Sequence, residues 1–477
     1  MKKFLILAFL VLVGCGGSGE PGDSPQVRGT VPYVPRVTLP NEVDELWFDL
    51  TIDLEAAAEF FARANWVWDA DGGELWGAPL HAPLIVVDAV NRHAVANMRD
   101  ERGALTRYGG VYVGILPAHV IVGATVSEFS GTLWGMTPWH ILEQSGEDEF
   151  FATMLHEGFH VVQGQFKGGS ERGIFSVLQP HTANLDARVT VILEIRALFD
   201  ALSVQGSQRE RFVHYALSAR KHRRTLYPDA IASENNFELS EGLTVWTEVS
   251  LVLPDRDAQI EFIDDMQDRV LPAEYMLFGY ITGALYAMLL SDAGADWQSG
   301  LTWQTDLGEL LQQAFGIAEL TPFGQLDLEI IGYSEIVAEQ AGWIENFQRV
   351  RQGAFDTFRL GQPLLRLVGD GYFDEVNQDY FYAFFVTGIN APDESPQSLV
   401  YYGEFTFVAS FGEVRFNGGY MRTVGRPAGA SIDGITAVGM EIIEGENRAV
   451  GQGWELVLNA GYGIRELEDG DFETYRR

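Results

Sequence analysis

The chain has 477 residues, of which 47% are hydrophobic and 21% are charged, and its formal net charge at pH 7 is −35. This composition is typical of an ordered globular protein, and the length allows several domains. The negative charge argues against nucleic acid as a partner, because phosphates would be repelled. A single cysteine excludes disulfide bonds within the chain.

The first residues resemble a bacterial lipoprotein signal peptide. A short basic segment precedes an apolar run over residues 4–13 that is too short to span a bilayer, and residues 12–15 match the lipobox. The resemblance implies cleavage of residues 1–14 and lipidation of Cys15, so that the protein is anchored to a membrane of the cell envelope. Gly16 favours the outer membrane if the cell has two. An ordinary secretory signal is the alternative.

Residues 15–44 are rich in Gly, Pro and Ser and predict a flexible tether. Residues 45–360 predict a folded body that begins with a helix over 54–64. A sheet follows within residues 80–138, and helices are predicted within 148–358. The apolar, β-branched runs that predict its strands are 83–88, 94–98, 111–117, 119–127 and 131–138.

The most informative motif, H-E-x-x-H, lies in a predicted helix that follows this sheet. His156 and His160 are four residues apart, so a helix places both imidazoles on one face, at a spacing suited to one metal ion. Glu157 projects about 100° around the helix axis from His156, where its carboxylate can serve as a general base without being a ligand. The motif therefore predicts two zinc ligands and a base. A buried helix with two hydrogen-bonded histidines is the alternative.

A catalytic zinc ion held by two histidines needs a third protein ligand, which leaves one position open. The motif does not continue as H-x-x-G-x-x-H, so the metzincin arrangement is excluded. Downstream acids are the alternative, and Glu234, Glu238 and Glu241 share one face of a helix. Acids clustered in this way are costly unless a cation lies opposite them. A solvent-exposed acidic stripe is the other interpretation.

Residues 239–243, with the sequence L-S-E-G-L, resemble the x-N-E-G-[FL] stretch that carries the zinc-binding glutamate of gluzincin peptidases. The resemblance implies that Glu241 is the third ligand, with Glu238 as runner-up and Glu234 or Glu248 behind it. Two features depart from the family: Glu241 follows the second histidine at a longer distance than in the best-known gluzincin aminopeptidases, and no G-x-M-E-N segment is present. Exopeptidase activity is therefore not implied.

The same resemblance implies further parts of a site. Gluzincins pack a mixed sheet against the metal helix, and the last strand before that helix, here 131–138, would form the rim where an extended substrate pairs. Zinc peptidases commonly aim a Tyr or His at the developing oxyanion. Tyr280 is the candidate in the apolar helix predicted over 275–286, with Tyr275 and Tyr286 as alternatives. Buried tyrosines with hydrogen-bonded hydroxyls are the simpler interpretation of each.

A basic run, R-K-H-R-R over residues 220–224, ends the helix predicted over 207–224. We expect a solvated helix end whose cations favour the C-terminal dipole, in preference to a clamp for a substrate carboxylate. Beyond residue 360 the composition changes, and residues 361–477 predict a small β-sandwich-like domain. Its expected strands are 380–386, 398–410, 412–418, 434–443 and 454–460.

Together these features predict an α+β protein: a mixed sheet and helical, zinc-peptidase-like body followed by a small all-β domain. The expected activity is hydrolysis of peptide or protein substrates by a membrane-tethered, zinc-dependent peptidase that uses Glu157 as general base. The alternative is a surface lipoprotein that binds protein or glycan through its β domain and has a structural or inactive metal site. Metal-assisted hydrolysis of another substrate is a third possibility.

Overall fold

The computed structural model describes residues 50–166, 179–253, 255–273, 275–358, 362–367, 371–374, 382–386, 398–424, 431–443 and 445–477. Within them, a body of helices and one sheet is followed by an all-β region, so the predicted α+β class is confirmed. The predicted signal peptide and tether lie outside the described residues. None of the described helices has the length and apolar character needed to cross a membrane.

The helices of the described residues build most of the body, and the predicted helix over 275–286 in fact begins at Gly279. Their bounds are α1 Leu54–Asp71, α2 His140–Ser145, α3 Glu147–Val162, α4 Leu185–Ser203, α5 Gly206–Leu226, α6 Ile231–Phe237, α7 Leu243–Val252, α8 Arg256–Asp265, α9 Gln267–Val270, α10 Gly279–Asp292, α11 Leu307–Ala314 and α12 Tyr333–Thr357. A π-helical turn, Glu238–Gly242, joins α6 to α7.

The sheet of the body has six strands in the order β3-β4-β2-β1-β6-β5, and only the β1–β6 pair is parallel. All four residues of β1 are buried, because helices cover one face of the sheet and apolar loop residues pack on the other. The strands are β1 Leu84–Val87, β2 His93–Ala96, β3 Thr106–Tyr108, β4 Val111–Ile115, β5 Thr125–Phe129 and β6 Thr132–Pro138.

One predicted strand needs correction, and one strand was not predicted. The segment predicted as a strand over 119–127 enters the sheet only at Thr125. The preceding chain turns away because the Arg92 side chain donates hydrogen bonds to the carbonyls of Leu116, Pro117 and Val120. The short β3 was missed, since its two exposed residues and one half-buried residue give no apolar alternation.

The predicted substrate rim over 131–138 is also wrong. This segment is β6, which lies inside the sheet between β1 and β5. Gly135 of β6 pairs with Leu84 of β1 on one side and with Val126 of β5 on the other, so both edges of β6 are used. Among the described strands, the edge on this side of the sheet is β5. Strand order depends on contacts between distant segments, which the sequence pattern does not reveal.

Helix α10 is the central helix of the body. Every residue from Gly279 to Leu290 is buried, so the helix has neighbours on all sides. Its contact with the π-helical turn is close because glycines face each other: a Cβ atom on Gly242 would lie 2.5 Å from Cα of Gly283 and 2.4 Å from the carbonyl oxygen of Gly279. These glycines set the distance between the two helices.

The prediction that the basic run is a solvated helix end is wrong for its arginines. Arg220, Arg223 and Arg224 are buried on one face of α5, whereas Lys221 is exposed. Spacings of three and four residues place the arginines together, and this face meets α4 and α6. They form a buried group, called here the arginine cage, with the acids Glu194, Glu234, Glu238 and Asp306.

The C-terminal region is all-β, but its described strands form one connected sheet of eleven instead of the two sheets of a sandwich. The reason is the length of β11: one edge pairs with β10, and the other pairs with both β15 and β12. The strands are β7 Leu364–Arg366, β8 Gly371–Asp374, β9 Tyr382–Val386, β10 Ser398–Ala409, β11 Gly412–Val424, β12 Ser431–Thr436, β13 Glu441–Ile443, β14 Arg448–Gly451, β15 Trp454–Leu458, β16 Tyr462–Glu466 and β17 Phe472–Arg476.

The arginine cage generates a stability prediction. Glu234→Gln removes a fully buried carboxylate from Arg223 and Arg224, which lie 2.7 and 2.8 Å from it. Arg223 and Arg224 keep Glu194 and Asp306 as acidic partners, but each loses one of its buried charge partners, so we expect the free energy of unfolding to fall by about 3 kcal/mol.

The matched control is Glu335→Gln, which breaks the exposed pair with Arg196. An exposed pair contributes at most about 1 kcal/mol, so this variant should unfold like the unmodified protein. Urea unfolding followed by circular dichroism measures both, and equal effects of the two substitutions would contradict a structural role for the cage.

Candidate metal centre

Helix α3 carries the H-E-x-x-H motif against strand β6. At their closest approach Gly135 faces the backbone of Glu157, and a Cβ atom on Gly135 would lie 2.7 Å from the carbonyl carbon and oxygen of Glu157. A larger residue would push the helix away from the sheet. His156 and His160 lie on the α3 face that meets α7 and the π-helical turn, and both are buried.

The π-helical turn separates acids that an uninterrupted helix would keep on one face. Glu238 begins the turn and accepts both hydrogen bonds of the Arg220 fork at 2.6 Å. Glu234 lies one turn earlier and pairs with Arg223. The turn has more residues per revolution than an α-helix, so Glu241 is rotated away from the cage and toward the histidines of α3.

Three predicted ligands come together at this point. The Oε2 atom of Glu241 lies 3.1 Å from Nε2 of His160 and 3.5 Å from Nε2 of His156, and the two Nε2 atoms are 3.2 Å apart. Among the described residues, these three alone form a group of His, Cys, Asp or Glu side chains close enough to share a metal ion. The other acids considered from the sequence, Glu234 and Glu238, belong to the arginine cage.

The spacing of these atoms fits zinc. Donors at zinc–ligand distances near 2.1 Å and tetrahedral angles lie about 3.4 Å from one another. The outward nitrogens of both imidazoles have other acceptors: Nδ1 of His156 lies 3.0 Å from Glu248, and Nδ1 of His160 lies 3.3 Å from Oε1 of Gln163. Both Nε2 atoms therefore point lone pairs at the carboxylate of Glu241, and only a cation or a proton between them makes this arrangement favourable.

Glu248, weighed from the sequence as a less favoured ligand, instead contacts the far side of His156. Its carboxylate is buried and accepts from Nδ1 at 3.0 Å, an arrangement that orients a metal-binding imidazole. Burial lowers the pKa of His156, but hydrogen bonds to Glu241 and Glu248 and the negative charges of Glu248 and Glu157 raise it above its ordinary value. The surroundings of His156 thus favour positive charge at the imidazole, which a proton or a bound cation can supply.

Glu157 and Tyr280 complete the surroundings. Glu157 is buried, and its negative charge raises the pKa of both His156 and Tyr280. Burial raises the pKa of Tyr280, as do the charges of Glu241 and Glu157 and the hydrogen bond that its hydroxyl donates to Glu241. Tyr280 therefore stays a neutral donor. The Tyr286 alternative lies elsewhere, because its hydroxyl donates to Glu194 of the cage at 2.7 Å.

The sequence did not indicate the roles that Gln163 and Glu248 have at this centre. Gln163 follows α3 and contacts both His160 and the π-helical turn, and its spacing of three residues from His160 was an available signal. Glu248 is seven residues after Glu241, on the same side of the rod formed by α6, the turn and α7. Its role could not be read from that spacing, because the direction of its carboxylate depends on the packing of α7 against α3.

Comparison with known proteins does not identify a relative. No protein-family model, no curated protein and no solved structure matches the chain. The function is therefore inferred from the geometry of the site.

The geometry predicts which acid would hold a metal ion. Glu241→Gln removes the charged oxygen that faces both imidazoles, so zinc affinity should fall by more than the roughly 10- to 100-fold that loss of an outer hydrogen-bond partner costs. Glu238→Gln changes the cage and keeps all three ligands, so it should still bind one zinc ion per chain. Zinc titration of both folded variants measures the difference, and the reverse order of affinities would exclude Glu241 as the ligand.

Proposed function

We propose that the protein is a zinc-dependent hydrolase that cleaves peptide bonds. The observation that carries this proposal is the convergence of three electron-pair donors, His156, His160 and Glu241, next to a fourth buried side chain, Glu157, that is not part of the group. Three protein ligands leave one position of a tetrahedral zinc ion for solvent or substrate, which is the arrangement of catalytic sites; structural sites use four.

A zinc ion bound there would supply a Lewis acid and lower the pKa of a coordinated water. Glu157 is the base: its carboxylate accepts a proton from the attacking water and then donates that proton to the nitrogen of the leaving amine. The hydroxyl hydrogen of Tyr280, which is donated to Glu241 in the structure, turns to the oxyanion that develops on the scissile carbonyl, and the raised pKa of Tyr280 keeps that hydrogen on the hydroxyl. The side chains of Glu157 and Tyr280 are both buried, which limits their contact with bulk solvent.

Strand β5 supports a peptide as the substrate. It is the edge of the sheet on the side of the site, and its residue Val126 pairs with Gly135, which touches the backbone of Glu157. An edge strand has backbone donors and acceptors that an extended peptide can use. The proposal includes attachment to the cell envelope through a lipid on Cys15, for which residues 1–15 of the sequence are the support.

The first test of this mechanism is Glu157→Gln. The amide has the shape of the carboxylate but cannot accept a proton, so we expect hydrolysis to slow by about 10²- to 10⁴-fold while zinc content stays at the wild-type level. Cleavage of a mixture of unstructured peptides, followed by mass spectrometry, measures the rate. Undiminished cleavage by the folded, zinc-loaded variant would rule out Glu157 as the base.

A second test compares two buried tyrosines. Tyr280→Phe removes the proposed oxyanion donor, so kcat should fall by about 10²- to 10³-fold with little change in KM. Tyr286→Phe removes a hydroxyl of similar burial that donates to Glu194 in the cage, so it should lower stability and leave kcat unchanged. Steady-state kinetics on one cleaved peptide, with both variants zinc-loaded, separates the roles. A greater loss of kcat in Tyr286→Phe than in Tyr280→Phe would contradict the assignment of Tyr280 as the oxyanion donor.

A further inference from the structure

The side chain of Gln163 connects the two helices that hold the metal ligands. Gln163 follows α3 directly and is fully buried. Its Oε1 atom lies 3.3 Å from Nδ1 of His160. Its Nε2 atom donates to the backbone carbonyls of Leu239 at 3.1 Å and Ser240 at 2.7 Å, both within the π-helical turn, and to the hydroxyl of Thr244 at 3.0 Å.

The surrounding acceptors determine which way the amide of Gln163 points. Two carbonyl oxygens face one end of the amide, so that end must be the NH₂ group, since an oxygen there would be repelled by both. The amide oxygen is therefore the atom next to His160. Thr244 donates its own hydrogen to the Ser240 carbonyl at 2.5 Å, so its hydroxyl can only accept from His160, whose Nδ1 lies 3.4 Å away.

This orientation fixes the protonation pattern of His160. Both neighbours of Nδ1 are acceptors, so Nδ1 carries the hydrogen and the lone pair of the neutral ring is on Nε2. Nε2 is the atom that faces His156 and Glu241. A metal-binding histidine is commonly oriented by a hydrogen bond from its other ring nitrogen, usually to a carboxylate, carbonyl or water; here an amide side chain provides it.

The same side chain supports the irregular backbone of the ligand Glu241. At a π-helical turn the hydrogen-bond register changes, and carbonyls near the change need other donors. Gln163 and Thr244 supply them at Leu239 and Ser240, the two residues that precede Glu241. Without these donors, the turn loses the contacts that hold its carbonyls toward α3.

We propose that Gln163 is a positioning residue that couples the two halves of the metal centre: it sets the tautomer of His160 and holds the π-helical turn that presents Glu241. This inference rests on the proposed zinc site. It predicts that a change at Gln163 lowers zinc affinity by disturbing two ligands at once, although the side chain of Gln163 does not itself contact zinc.

The test measures zinc affinity by competition with a chromophoric chelator for the full folded protein. Gln163→Met keeps the length of the side chain and removes both sets of hydrogen bonds, so affinity should fall about 10- to 100-fold. Gln163→Glu keeps an acceptor for His160 but has no donor for the carbonyls of the turn, so its affinity should also fall. This second variant keeps the test decisive if the first does not fold.

The matched control is Gln340→Met. Gln340 is also buried and accepts a hydrogen bond from Arg188 on α4, away from the metal centre, so this variant should bind zinc like the wild type. Cobalt(II) substitution gives a second readout, because the visible absorption bands report ligand geometry and should change in Gln163→Met and stay unchanged in Gln340→Met.

The outcomes separate the inference from the function on which it rests. Wild-type affinity in Gln163→Met would overturn the positioning role and leave the zinc site intact. Wild-type affinity in Gln163→Glu together with reduced affinity in Gln163→Met would show that only the contact with His160 matters. That result would overturn the coupling of the two halves. A wild-type protein that binds no zinc would overturn the zinc site and this inference together.

Discussion

The structure depends on keeping three electron-pair donors close together inside a buried site. The Nε2 atoms of His156 and His160 and a carboxylate oxygen of Glu241 lie 3.1 to 3.5 Å from one another. Both imidazoles use their other nitrogen as an outward donor, so lone pairs meet at the centre. Such an arrangement is favourable only with a cation or a proton between the donors, and the elements that surround it act to prevent the donors from moving apart.

Two kinds of constraint hold these donors. Glycines provide close contact: Gly135 brings the sheet against α3, and Gly242 and Gly283 bring the π-helical turn against α10. Polar side chains provide direction. The arginine cage draws Glu234 and Glu238 to one side of the rod, and the π-helical turn rotates Glu241 to the other. The negative charges of one helix are thus divided between a structural network of arginines and a site suited to a metal ion.

Short-range patterns in the sequence predicted much of the site, because each depends on local geometry. Two histidines four residues apart meet on any helix, and the strand and helix segments follow from apolar periodicity. The direction of the arginines at 220, 223 and 224 could not be predicted, since their acidic partners come from α4, α6 and a loop distant in sequence. The position of β6 inside the sheet was hidden for the same reason. A π-helical turn has no composition that distinguishes it from an α-helix, so the separation of Glu238 from Glu241 appeared only in three dimensions.

Zinc binding at this site can be tested by anomalous X-ray diffraction from crystals of the wild-type protein grown with zinc, recorded above and below the zinc absorption edge. We expect one strong difference peak about 2.0–2.2 Å from Nε2 of His156, Nε2 of His160 and a carboxylate oxygen of Glu241, with no fourth protein ligand. Zinc bound only at other residues, or density at this position that closes with a fourth side chain, would contradict it.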